Sequence, residues 1–332
     1  MNRNENINRD KPIKFKERGV MMSKKETLKG LRLMVIATFF WATMGLISRN
    51  LNGVHLTSVQ VAFARCLQAA VFTTIALAIK NKNAFKVDVK GLIFCVLYGI
   101  IAFGLAMCFY SLSVERIPIA VATVLMFSNP IWVAIFGKVF FKDAVGLKKA
   151  ITIGTCILGC MCIINLFAAG GKDLNLIGVL FGLASGITFA LQLVIPRFAE
   201  GKYSNDTLLL YGFWGATIFL AFFANIPQMA SSIVGAENPL YSLANIVAIG
   251  LLCTYIANSY YIKSSEYLGS TLPSILVAFE PIFATILAFI VLGEAIKPIQ
   301  MVGAVIVILS IIVMQVDIKS LIEGKKATND NA

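Results

Sequence analysis

Two ionisable side chains, Glu280 and Arg65, stand in the middle of long apolar stretches. A charge there costs at least about 2.5 kcal/mol on insertion scales, so such a residue faces a cavity or a partner. Glu280 can exchange a proton or contact a substrate amine. It can equally be neutralised by Arg65 or hydrogen-bonded between helices, fixing their packing. Arg65 carries a planar fork that fits a substrate carboxylate bidentately; the alternatives are snorkelling or pairing with a glutamate. Pro281 follows Glu280, and Pro130 follows Asn129. Each proline ring removes a backbone donor and frees a carbonyl one turn back, so both are expected as helix-break positions. Asn129 offers a neutral donor and acceptor, for a substrate or for an interhelical hydrogen bond.

Polar side chains also recur at helical spacing: Thr38, Trp41, Gly45 and Ser48; Ser185, Thr188 and Gln192; Thr254, Asn258, Tyr261 and Ser265. Each set falls on one helix face. One such stripe is ordinary helix contact; three together suggest a shared polar cavity. Gly178, Gly182 and Gly186 recur every fourth residue, a face for close packing. All seven cysteines lie in apolar segments, and the single histidine, His55, lies in a loop. They read as packing residues, so no metal site and no cofactor are expected. With no metal cluster, phosphate loop or nucleophile beside a base, an enzyme is not expected either. A channel is disfavoured because one chain already supplies both halves of a pathway.

The elements that must hold these residues are membrane helices. Hydrophobic residues make up 58% and charged residues 14% of the 332, and the mean hydropathy is +0.82. Such a chain is solvated by lipid rather than water. Its runs are apolar on all sides, which excludes a barrel with alternating strands. Spans are expected near 31–49, 57–79, 91–113, 118–139, 148–168, 177–196, 207–225, 243–265, 271–292 and 300–316, each long enough for a core that takes about 20 residues. The net charge of +12 reads as topology signal rather than as a nucleic-acid surface. With both termini cytoplasmic, 24 Lys and Arg fall inside and four outside, a strong positive-inside bias. The polar, basic beginning lacks a cleavable signal peptide. Residues 1–29 and 318–332 are expected as cytoplasmic tails, the first of them disordered, and translation starting at Met21 or Met22 is an alternative to Met1.

The chain is internally duplicated. At an offset of 151, Tyr110, Ser113, Glu115, Leu125, Pro130, Ile131, Asp143 and Ala144 match Tyr261, Ser264, Glu266, Leu276, Pro281, Ile282, Glu294 and Ala295. Near 148, Ala42 and Arg49 match Ala190 and Arg197. The loop 80–90 has four lysines, while its counterpart 227–242 has no Lys or Arg. Basic residues vanish where the second copy faces outward, as inverted insertion requires. The expected fold is therefore all-α: ten transmembrane helices as two inverted five-helix repeats, 30–169 and 177–317. Inverted repeats suit alternating access.

The Trp41 segment, Ala278-Phe279-Glu280-Pro281 followed by Leu292-Gly293-Glu294, and the twin Ser128-Asn129-Pro130 followed by Lys142-Asp143-Ala144 resemble the drug/metabolite transporter superfamily, EamA type. The resemblance covers roughly residues 30–317. It implies a secondary transporter of a small amino-acid-like or amphipathic metabolite across the inner membrane, most simply by efflux. Relatives that carry nucleotide sugars or flip lipid-linked sugars supply the alternative. Partners would be the small-molecule substrate, the lipid bilayer, and a proton or sodium ion for coupling; oligomeric state is not legible. The family arrangement also brings Tyr110, Trp132 and Phe283 near the polar stripes. Asn129 where the second copy has Glu280 makes the two halves chemically unequal.

Overall fold

The computed structural model describes residues 24–49, 51, 54–166, 175–199 and 202–315. The expected tails, the disorder of the first and the alternative start at Met21 or Met22 lie outside the described residues. The exception is residues 24–29, which are described and helical.

Among the described residues all regular structure is helical. In chain order the helices are α1 (Lys24–Arg49), α2 (Ser58–Lys80), α3 (Val89–Val114), α4 (Ile119–Met126), α5 (Asn129–Phe141), α6 (Leu147–Ile163), α7 (Leu176–Phe198), α8 (Asn205–Ala221), α9 (Ile226–Val234), α10 (Pro239–Leu268), α11 (Thr271–Leu276), α12 (Phe279–Leu292) and α13 (Pro298–Gln315). Their starts follow local chemistry. Thr57 opens α2 with a capping box, its side chain accepting from Gln60 while Gln60 returns the bond, so two orphan donors are satisfied at once. Asn175 and Ser204 cap α7 and α8 in the simpler way.

Among the described residues seven helices, or helix pairs in line, are long and apolar enough to cross a membrane: α1, α2, α3, α4 with α5, α7, α10, and α11 with α12. An eighth is reached only if α8 and α9 count together, although they bend by 90°. The expected ten are thus not all realised at full length. α6 has 17 residues, and the apolar part of α13, Pro298–Val313, is also shorter. The apolar run expected over 207–225 instead turns at Asn225, whose φ is 42°, and α9 departs sideways. Around the bundle the outward side chains are apolar: Phe222 is 81% exposed, and Ile79 of α2, Leu147 of α6 and Leu240 of α10 are nearly as open. That surface suits hydrocarbon.

Helix packing repeats with the two halves exchanged. α1 packs on α10 and α12, while α7 packs on α3 and α5; α2 packs on α10, and α8 on α3. α6 packs on α13. Gly159 and Gly303 face each other there: a Cβ on Gly303 would meet the Gly159 carbonyl oxygen at 2.6 Å. The glycine stripe of α7 serves the same end. Cβ atoms on Gly182 and Gly186 would strike the Leu125 side chain and carbonyl at 2.6 Å, so the stripe lets α4 lie directly on α7.

Candidate functional site

The fourth and ninth expected spans are both broken. α4 gives way to α5 at Phe127 and Ser128, and α11 to α12 at Val277 and Ala278. The breaks sit one repeat apart and face one another. A gap of about 10 Å³ between them is lined by Phe127, Asn129, Pro130, Ser274, Val277 and Ala278, with Cys156 and Cys160 of α6 at its side. The prolines therefore work differently from a mid-helix kink. Pro130 and Pro281 occupy the first turns of α5 and α12, where a missing N–H leaves no bond unmade. Glu280 consequently lies in the first turn of α12, where the partial positive charge of a helix N-terminus favours a carboxylate.

Glu280 is partly exposed within the bundle, as are Arg65 of α2 and Tyr110 of α3. Their charges act on each other and on Tyr110, which places all three around one region. Arg65 and Glu280 form no ion pair; among the described residues, Arg197–Asp143 and Arg116–Glu115 do. Arg65 instead donates from Nε to the hydroxyl of buried Thr254, at 3.0 Å. Thr254 sits in a wide π-helical turn, Ile249–Ile256, within α10. The matching part of α3, Ile100–Leu105, has the same wide turn. Such turns loosen backbone acceptors, and Gln192 of α7 donates 2.8 Å to one of them, the Ala102 carbonyl. The Tyr110 hydroxyl shares a 3.1 Å hydrogen bond with Thr123 of α4.

The remaining expected residues form a second group. Trp41 of α1 meets Tyr261 and Phe189 edge-on, with centroids 5.1 and 6.0 Å away. Tyr261 and Phe189 stack on each other. Asn258 is buried and donates back to the Thr254 carbonyl at 2.8 Å. The polar stripes are thus packed seams here rather than open walls: Ser185, Thr188 and Ser265 bond their own helices. Three of the expected residues nevertheless carry a buried polar atom without a protein partner, namely Asn129 Oδ1, Gln192 Oε1 and Tyr261 Oη.

Two contacts were not legible in the sequence. Thr254 as the anchor of Arg65 follows from the wide turn, which has no simple residue signature. The second is the bidentate pair of Arg197 with Asp143, at 2.6 and 3.0 Å. Both residues sit at helix ends, and nothing in their spacing along the chain joins them. No group of histidine, cysteine and carboxylate side chains suited to a metal ion occurs among the described residues.

Comparison with known proteins agrees with this architecture. A solved crystal structure superposes with a TM-score of 0.71 over 88% of this chain and 96% of that chain, at 13% identity; at that identity the likeness is one of fold. An uncharacterized transporter from Clostridium kluyveri is 23% identical over 92% of this chain and 98% of its own length. The threonine/homoserine exporter RhtA of Escherichia coli K12 is 26% identical over 63% of this chain and 67% of its own. The EamA-like transporter family matches residues 28–165 and again 176–316. Two copies of that unit, joined by the reciprocal packing described above, make up nearly the whole bundle, and the chain belongs to the EamA-like transporter family.

Proposed function

We propose that this membrane transporter exports a small amino-acid-like or amphipathic metabolite across the cytoplasmic membrane by alternating access. The observation that carries the reading is the facing pair of helix breaks, with Glu280 at one and Asn129 at the other. In this reading α6, α8 and α13 complete ten crossings, in two inverted sets of five, with both termini cytoplasmic. The 24-to-4 distribution of basic residues supports that orientation.

The site residues divide the work by charge. Arg65, steadied by Thr254, keeps its terminal nitrogens for a carboxylate. Charge-assisted hydrogen bonds of that kind contribute about 1.5–3 kcal/mol. Glu280 receives the substrate's ammonium group, or a coupling proton when that group is absent. Once the packed seams part, Trp41, Tyr110 and Tyr261 border the apolar part of the ligand, and Gln192, Asn258 and Asn129 its polar edge. Binding shifts the carrier between its two states only if these contacts differ between them. The partial likeness to an exporter of threonine and homoserine supports an amino-acid-like cargo.

Comparative metabolomics of the medium tests this. Cells expressing wild type should enrich one class of metabolite outside, and cells expressing Glu280→Gln at matched membrane levels should not. Equal enrichment would remove Glu280 from the mechanism. Enrichment by neither would overturn export.

A further inference from the structure

The ion pair of Arg197 and Asp143 joins the two repeats at one end of the bundle. Arg197 ends α7 in the second repeat, and Asp143 follows α5 in the first. The contact is built rather than incidental. Both guanidinium terminal nitrogens engage the two carboxylate oxygens, at 2.6 and 3.0 Å. The Arg197 Nη1 also donates to the Ser270 hydroxyl at 3.3 Å, and the guanidinium lies 3.9 Å over the Phe141 ring. Gly137 makes room for the carboxylate, since a Cβ there would meet Asp143 Oδ2 at 2.6 Å. Lys149 of α6 stands in the field of both charges. Side chains 14% and 22% exposed are screened less than surface pairs.

The duplication supplies a counterpart at the other end. Asp143 corresponds to Glu294 at offset 151, and Arg197 to Arg49 at offset 148. The backbone keeps the correspondence. α5 ends on a left-handed residue, Lys142, at φ 55°, and α12 ends on Gly293 at φ 69°. Asp143 N–H then donates to the Gly137 carbonyl, and Glu294 N–H to the Ala288 carbonyl, again 151 residues on. Arg49 ends α1, and α1 packs on α12 as α7 packs on α5. Glu294 borders a cleft of about 240 Å³ whose wall includes Pro281, the neighbour of Glu280.

We infer that Arg197–Asp143 is a latch closing one face of the transporter, and that Glu294, at the position related to Asp143 by the repeat, serves the opposite face. Opening the first face requires parting the pair, and the two positions bias the carrier in opposite directions. The inference rests on alternating access but not on the identity of the cargo.

Sidedness of access is the test. Ala278, in the gap between the helix breaks, is replaced as Ala278→Cys in the full chain lacking its native cysteines. A membrane-impermeant maleimide is applied to right-side-out and inside-out vesicles. Arg197→Gln and Asp143→Asn should each raise the alkylation rate from one face by roughly tenfold or more, the scale of a population shift of this kind. Glu294→Gln should raise it from the other face. The exchanged pair, Asp143→Arg with Arg197→Asp, should return the rate toward the starting value, and it serves also if a single variant fails to reach the membrane. Unchanged sidedness, or the same face for both positions, overturns the latches while leaving export standing. A reporter reached from neither face in any variant overturns alternating access with them.

Discussion

At Arg65 one guanidinium donor is fixed by Thr254, and no ion pair with Glu280 neutralises it. Arg65→Gln should therefore raise KM for a carboxylate-bearing substrate by roughly 10- to 100-fold, the equivalent of a lost charge-assisted pair, with maximal rate less affected. Arg65→Lys keeps the charge but loses the fork, and should recover only part of the affinity. Transport in proteoliposomes reads both. Asp88 offers a different check, outside the spans. The Tyr203 hydroxyl donates to it at 2.9 Å, and that bond holds the Asp88 carboxyl below its usual range. A depressed folded-state pKa contributes stability above the unfolded pKa, and that contribution disappears as pH falls through the folded value. Tyr203→Phe should thus lower Tm slightly at neutral pH. The difference should vanish in acid, as read by thermal unfolding in detergent. The sequence disclosed Glu280 and Arg65 because charge is conspicuous in an apolar run. It could not disclose Thr254, whose role depends on where a wide helical turn falls.

The half-helices α5 and α12 change what the prolines are expected to do. Pro130 and Pro281 stand in first turns, so Pro130→Ala should alter stability by less than about 1 kcal/mol, far below the ~3 kcal/mol scale for a proline in a helix interior. A large loss of Tm would show that the break itself depends on the ring. The α6–α13 contact behaves oppositely. Gly303→Ala drives a methyl toward the Gly159 carbonyl at 2.6 Å, and overpacking of this kind costs about 1–3 kcal/mol. Thermal unfolding should register it, while Gly154→Ala on α6, with open space around its Cβ, should not. Hydropathy marked the positions of these helices well but not their ends, because a run of apolar residues does not encode where a helix stops. α9 shows the limit. Ile226, Met229, Ile233 and Val234 fall on one face at helical spacing, a signal that was present but merged with the preceding apolar run.

At the scale of the whole molecule, duplication was the most informative reading. Matches at a constant offset identified the two halves, and their exchanged packing is what the helices show. Distances across the bundle were not legible, since no sequence rule ties Asp143 to Arg197 across a separation of 54 positions. The α6–α13 seam has a consequence for how the protein is made. It joins the last helix of each half, so Gly159 has no mate until Gly303 has left the ribosome. The separation from Ile163 to Pro298 is 135 residues (298 − 163), roughly 7–27 s at about 5–20 residues per second. During that interval the glycine face of α6 is bare, and a nascent chain arrested before Pro298 should be unusually open to proteases at α6.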